Sequence, residues 1–107
     1  MNFAIRIVNL CNFLSNEMKE KRISDQLFRS GTSIGANLSE AQCAISRKEF
    51  VAKLYISLKE CNETIYWLNL LFNTRYITKE QYESIHESCV EIKKLLVSIT
   101  KTTTQNS

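Results

Sequence analysis

The chain contains no proline, and its only two glycines, Gly31 and Gly35, lie four residues apart in one segment. Proline and glycine supply most of the tight turns that β-sandwiches and β-barrels need. A chain of 107 residues with so few of them has little means of building an all-β fold. It predicts instead one domain, residues 1–107, made of long helices joined by short links.

Four apolar stripes at helical spacing predict four helices, at about residues 2–19, 24–45, 47–73 and 79–101. Ser24 is a plausible N-cap for the second helix, and Ser46 with Glu49 and Thr78 with Gln81 form capping boxes for the third and fourth. Short links join antiparallel neighbours, so the expected fold is an all-α, antiparallel up-down-up-down four-helix bundle. The polar residues 102–107 are expected to form a frayed C-terminal tail.

The segment that holds both glycines, residues 29–41, has the small polar composition of a loop. The helical spacing of Leu27, Ile34 and Leu38 nevertheless continues through it, which predicts a helix interior. A glycine there costs about 1 kcal/mol relative to alanine, so we expect both glycines to permit the close approach of a neighbouring backbone. A phosphate-binding loop is excluded, because no strand precedes the segment and no G-K-[ST] follows.

The four cysteines, at positions 11, 43, 61 and 89, include no C-x-x-C pair. We interpret all four as small buried apolar residues of a cytoplasmic protein without disulfides. No apolar run approaches the roughly 18 residues of a membrane span, so no membrane association is expected.

No catalytic or metal-binding constellation is evident. His86 and Glu83 supply one Glu-x-x-His, whereas a di-metal bundle needs that motif on two helices. With a single histidine in the chain, no Ser or Cys nucleophile has an evident base. We therefore expect no enzyme activity, no catalytic residue, no metal and no cofactor.

Three segments together resemble a known family. They are R-S-G-T-S-I-G-A-N-L-S-E-A at 29–41, S-R-K-E-F-V-A-K-L at 46–54 and L-K-E-C-N-E-T-I-Y-W-L at 58–68. They resemble the bacterial four-helix-bundle proteins encoded by intervening sequences in 23S rRNA genes, which are related to the accessory variability protein of diversity-generating retroelements. The resemblance implies a ring-like homopentamer that binds RNA or DNA, and it implies a reverse transcriptase as a candidate partner.

Net charge is +3, from 14 Lys and Arg against 11 Asp and Glu, which permits nucleic-acid binding without demanding it. In an up-down bundle the basic residues gather at the two ends, where an oligomer would multiply each patch. The alternative is that these are ordinary solvated ends. The candidate phosphate contacts are Lys19, Lys21, Arg22, Arg47, Lys48, Arg75 and Lys79.

Two further sets of residues are candidates for assembly. A second, aromatic flank on the third helix, with Tyr55, Tyr66 and Trp67, predicts a protein–protein or oligomer interface. The polar residues Arg29, Asn37, Glu40 and Glu60 match recurring positions of the resembled family and permit two interpretations. They are either a ligand contact or a structural polar network between helices, and we favour the network because a charge near a core is normally paired.

Overall fold

The computed structural model describes residues 1–105 and contains four helices: α1 (Asn2–Asn16), α2 (Arg22–Gln42), α3 (Arg47–Asn73) and α4 (Lys79–Gln105). Link 1 (residues 17–21), link 2 (43–46) and link 3 (74–78) join them, and the described residues include no strand. Each helix packs on the next in the chain, and α2 and α3 share the most extensive interface. The predicted all-α four-helix bundle is confirmed.

The core follows the apolar stripes of all four helices. Its fully buried members form one cluster along the bundle axis, and they include Ile7, Leu14, Leu27, Leu54, Leu68, Leu71, Cys61, Cys89 and Leu96. The bundle measures 47 × 20 × 19 Å, so its long dimension is set by the 27-residue helices α3 and α4. Because α1 has only 15 residues, it covers less of the bundle than its partners do.

Small polar residues line the α2–α3 interface and form hydrogen bonds across it. The Ser57 hydroxyl donates to the carbonyl of Ile34 at 2.8 Å, and the Thr64 hydroxyl donates to the Ser30 hydroxyl at 3.0 Å. All three hydroxyls are buried, and each has a partner. The loop-like composition of residues 29–41 is therefore compatible with a helix, since short side chains let α3 approach and satisfy their own polar groups there.

The predicted N-cap of α2 was wrong, and the helix begins at Arg22 rather than at about 24. Ser24 lies inside the helix, fully buried, and its hydroxyl donates to the carbonyl of Cys11 at 3.1 Å. The capping acceptor is Glu20, whose carboxylate accepts from the backbone N–H of Ile23 at 2.6 Å. A carboxylate near a helix N-terminus also interacts favourably with the helix dipole.

The predicted ends of α1, α2 and α4 also differ from the structure. The first ends at Asn16 rather than 19, which leaves Met18 exposed, and the second ends at Gln42 rather than 45, which leaves Ile45 95% exposed. Two backbone hydrogen bonds of the 3₁₀ type tighten the chain after α2. The N–H of Cys43 donates to the carbonyl of Glu40, and the N–H of Ala44 donates to the carbonyl of Ala41.

The fourth helix continues to Gln105, four residues beyond the predicted end at 101, so residues 102–105 of the predicted tail are helical. The hydroxyls of Thr103 and Thr104 bond to carbonyls one turn earlier, which satisfies polar groups in the last turn. Residues 106 and 107 of the predicted tail lie outside the described residues.

Both capping boxes place their caps as predicted. The Ser46 hydroxyl accepts from the amide of Glu49 at 3.1 Å, and the Thr78 hydroxyl accepts from the amide of Gln81 at 3.1 Å. The second hydrogen bond of a capping box runs from the backbone N–H of the cap residue to the side chain three residues later. Thr78 makes this bond to Gln81 at 2.8 Å. The Glu49 carboxylate accepts instead from the backbone N–H of Ile45, the residue before Ser46, at 3.5 Å.

Candidate nucleic-acid interface

Five of the seven candidate phosphate contacts lie at one end of the bundle, which we call the basic end. Links 1 and 3 meet there because α1 and α3 run in the same direction. The five side chains are all exposed: Lys19, Lys21, Arg22, Arg75 and Lys79.

Two of these cations occupy left-handed backbone positions. Lys19 has φ 56° and Arg75 has φ 66°, and they are the only non-glycine residues with positive φ in the described chain. Arg75 lies in a Schellman motif after α3, with its own amide bonded to the carbonyl of Phe72 and the amide of Tyr76 bonded to that of Leu71. Glycine is the usual residue at such a position, so a cation there carries a conformational cost of about 1 kcal/mol.

The carboxylates near the basic end neutralise only part of its charge. Glu20 is turned inward and is 3% exposed, and its Oε2 atom lies 3.8 Å from the Arg22 guanidinium. Lys79 pairs with Glu83 at 3.8 Å, one helical turn away. Within residues 1–105, the side chains of Lys19, Lys21 and Arg75 have no carboxylate within 4 Å.

The remaining two candidates, Arg47 and Lys48, lie at the opposite end, in the first turn of α3. Both are exposed. They are separated from the basic end by the length of a 27-residue helix, roughly 40 Å at 1.5 Å per residue. The structure therefore divides the seven predicted cations into two groups that cannot form one patch on a single chain.

The predicted polar network also divides into parts. Arg29 pairs with Glu60 at 3.3 Å and with Glu63, which accepts in turn from the indole N–H of Trp67 at 3.1 Å. These contacts join α2 to α3 at a site where Glu60 is 8% exposed, although the Arg29 side chain is half exposed. The sequence reasoning missed Glu63 as a member.

The other two predicted members do not touch this cluster. Glu40 pairs with Lys53 at 3.3 Å, nearer the other end of the α2–α3 interface. The amide of Asn37 donates to the carbonyl of Ser33 in its own helix at 2.8 Å. The Arg29 and Glu40 pairs each join α2 to α3, whereas Asn37 makes no inter-helix bond among the described residues.

The aromatic flank of α3 faces outward. Tyr55 is 52% exposed and Tyr66 is 59% exposed, and eleven residues of helix place them on one side. Trp67 is only half-buried and meets the Tyr66 ring edge-on, with centroids 4.9 Å apart. Lys59 and Asn62 are exposed between the two tyrosines, so the face mixes polar and aromatic groups.

A groove between α1 and α4 was not predicted. It has a volume of about 580 Å³, and its floor is formed by α2. Arg6 spans the α1–α4 gap by donating to the hydroxyls of Ser84 and Ser88, each at 2.7 Å. Ile5 falls off the apolar stripe of α1 and is 50% exposed, but it does not line the groove, so no sequence signal indicated the groove. The residues lining the groove are Met1, Asn2, Phe3, Ala4, Arg6, Gly31, Ile34, Gly35, Leu38, Ser88, Glu91, Ile92 and Leu95.

The cysteines divide into one exposed and three buried thiols. Cys43 is exposed after the end of α2, so its predicted burial was wrong. Cys11 is buried, and burial raises the pKa of its thiol, which donates to the carbonyl of Ser24 at 3.4 Å. Cys61 and Cys89 are both buried and lie side by side between α3 and α4.

His86 packs against an aromatic ring rather than a cluster of ligands. Its ring lies 4.9 Å from that of Tyr82, which stacks in turn on Phe72 at 4.4 Å. Among residues 1–105, no three His, Cys, Asp or Glu side chains are grouped closely enough to bind a metal ion. In the same part of the chain, none of the helices is both long enough and apolar enough to cross a membrane.

Comparison with known proteins places this geometry in a family. No significant match was found among curated protein sequences. A crystal structure from Bacteroides thetaiotaomicron, described as a protein of unknown function from the S23 ribosomal protein family, is 62% identical to this chain. The match covers 94% of this chain and 89% of that one, with a TM-score of 0.92. The model of the 23S rRNA-intervening sequence protein family matches residues 1–98, and the chain therefore belongs to that family.

Proposed function

We propose that this protein is a non-enzymatic, homo-oligomeric nucleic-acid-binding protein of the cytoplasm, which contacts RNA or DNA phosphates through its basic end. One observation carries the proposal: three exposed cations, Lys19, Lys21 and Arg75, lie at the same end of the bundle without a carboxylate partner among the described residues. Long cationic side chains suit the phosphate backbone, which is bound mainly by charge and without sequence readout.

Assembly would strengthen the attraction of the basic end for nucleic acid. A single chain with net charge +3 has a modest field, but a ring presents several copies of the basic end to one nucleic acid. The family resemblance favours a pentamer, which for a 12.4 kDa chain has a mass of about 62 kDa. The Arg47–Lys48 pair at the opposite end would form a second, separate ring of charge.

The first test is binding as a function of salt. The family is named for intervening sequences of 23S rRNA, so fragments of 23S rRNA are the first ligands, with duplex DNA for comparison. If Lys19, Lys21 and Arg75 of one copy each contact a phosphate of duplex DNA, log K should fall against log salt with a slope of about −3. Absence of binding to either ligand at low salt contradicts the proposal.

A matched pair of variants locates the contact. Lys21→Gln with Arg75→Gln should reduce that slope by about two, one for each lost phosphate contact. Lys59→Gln with Lys94→Gln removes the same charge from exposed positions on α3 and α4, and it should leave the slope nearly unchanged. Equal losses for both pairs would show that net charge alone governs binding and would remove the basic end as the site.

The native mass tests the oligomer. Sedimentation or native mass spectrometry with and without RNA should return a species several times the 12.4 kDa chain mass. A monomer that remains a monomer with RNA would contradict the assembly.

A second candidate function is a protein-interaction scaffold, such as an accessory partner of a reverse transcriptase. It is favoured by Tyr55 and Tyr66, which are more than half exposed on α3, and by Trp67 beside them. Tyrosine and tryptophan are enriched at binding hot spots. If this function is correct, Tyr66→Ala should weaken capture of a reverse transcriptase at least tenfold, while Lys21→Gln should not. If that face instead joins copies of this chain, Tyr66→Ala should reduce the native mass.

A further inference from the structure

Two buried thiols, Cys61 on α3 and Cys89 on α4, face each other in the core. Their Sγ atoms are 3.5 Å apart, and both residues are fully buried. They lie outside the basic end and outside the Arg29 cluster. They also differ from the other two cysteines, because the Cys11 thiol bonds to the carbonyl of Ser24 and Cys43 is exposed.

The sulfur atoms of Cys61 and Cys89 reach across from α3 to α4 and from α4 to α3 at this level. The Cys61 sulfur lies 3.3 Å from the carbonyl oxygen of Cys89, and the Cys89 sulfur lies 3.7 Å from that of Cys61. Each short side chain thus reaches the main chain of the opposite helix. Close approach of the two main chains is the geometric requirement for a disulfide, since side chains on distant backbones cannot be bridged.

The two thiols have different acid strengths. The hydrogen bond from Cys89 lowers the pKa of Cys61, whereas the hydrogen bond with Cys61, followed by burial, raises the pKa of Cys89. These opposite directions favour Cys61 over Cys89 as the attacking thiolate. A thiolate next to a second thiol is the arrangement in which an oxidised sulfur is resolved to a disulfide.

We propose that Cys61 and Cys89 form an oxidant-responsive disulfide site that locks α3 to α4. The oxidant is hydrogen peroxide, which must reach the buried pair through a local opening between α3 and α4. The Cys61 thiolate attacks one peroxide oxygen, the O–O bond breaks, and hydroxide leaves, which yields Cys61 sulfenic acid. The Cys89 sulfur then attacks the Cys61 sulfur, the S–O bond breaks, and water leaves with the Cys89 proton, so two thiols are oxidised and one peroxide is reduced.

The disulfide would close a defined loop of the chain. It closes the segment from residue 61 to residue 89, which includes link 3 with the exposed Arg75 and the start of α4 with the exposed Lys79. Such a cross-link restricts the unfolded chain and raises the temperature of unfolding. Thiols of a reducing compartment reverse it by exchange, so the reduced pair is the resting state and the disulfide forms under oxidant.

The test uses the folded full-length chain carrying Cys43→Ser, which removes the exposed thiol. After hydrogen peroxide treatment in native buffer, the intact mass should fall by about 2 Da, the two hydrogens lost in forming one disulfide. Trypsin cuts at Lys59, Arg75, Lys79 and Lys93, so the peptides 60–75 and 80–93 should be recovered as one disulfide-linked species. The Tm should rise by about 10 °C and return to its starting value with dithiothreitol.

Two further variants serve as controls. In the same background, Cys89→Ala should abolish the 2 Da loss, whereas Cys11→Ala should retain it. The proposal is overturned if the folded protein gives no linked 60–75/80–93 pair, or if that pair forms only in denaturant. It is also overturned if the pair forms without a rise in Tm, because the disulfide would then lock nothing.

Discussion

The two sides of α1 are packed in opposite ways. On the α2 side, Gly31 lies against the fully buried Ile7, and a Cβ atom added at Gly31 would lie 2.8 Å from the Ile7 Cγ2 atom. One turn later Gly35 opens onto the α1–α4 groove, and a Cβ there would meet nothing within 4 Å. Two glycines one helical turn apart therefore have different structural roles. The difference shows that α1 is attached to the bundle mainly through α2.

The strongest test of this contrast is Gly31→Ala. The new methyl group would collide with the Cγ1 and Cγ2 atoms of Ile7, which is β-branched and stiff, so the neighbour cannot easily move away. We expect the free energy of unfolding to fall by about 2 kcal/mol, since overpacking costs 1–3 kcal/mol and exceeds the helix-propensity gain. Urea denaturation followed by circular dichroism measures the change.

A double-mutant cycle identifies the cause. Ile7→Ala removes the atoms that the new methyl group meets, so adding Gly31→Ala to it should cost little or should stabilise. If Gly31→Ala lowers the free energy of unfolding equally with and without the Ile7 side chain, the loss does not arise from this contact. That result would contradict the dense packing of α1 on α2 at Gly31.

Gly35→Ala is expected to have a smaller effect of the opposite sign. Because the added Cβ has open space, only the helix propensity changes, and the free energy of unfolding should rise by about 1 kcal/mol. Thermal unfolding should shift upward by a few degrees. A loss of stability would mean that something occupies the groove at Gly35 in solution, and the contrast with Gly31 would then fail.

This pair also shows how far the sequence could predict the structure. The helical period through residues 29–41 identified a helix, but it assigned both glycines to the close approach of a neighbouring backbone. Gly31 is packed instead against the side chain of Ile7, and Gly35 faces open space. Periodicity reports which face is apolar, whereas the distance to the neighbouring helix depends on the lengths and ends of other elements. The early end of α1 at Asn16 and the groove beside Gly35 follow from such tertiary features.

The candidate site was predictable to a similar degree. The antiparallel topology places Lys19, Lys21 and Arg75 at one end, because the order of the links alone determines which links share an end. The topology could not predict that the Glu20 side chain would turn inward to cap α2, which leaves these three cations without Glu20 as an ion-pair partner. Side-chain choices of this kind are decided by local hydrogen bonds rather than by spacing.

The smallest effect is expected from Arg6, which bridges the open side of α1. Arg6→Gln removes the two donors to Ser84 and Ser88, both at accessible positions, so water can replace most of the lost bonding. We expect a loss of about 0.5 kcal/mol in the free energy of unfolding. Hydrogen exchange should accelerate at the α1 amides near Arg6 more than at the α4 amides near Ser88, because α4 retains its interface with α3. Ser84→Ala with Ser88→Ala is the matched change from the other helix and should reproduce this pattern. A loss as large as that of Gly31→Ala would show that the α1–α4 side contributes as much to holding α1 as the α1–α2 side does.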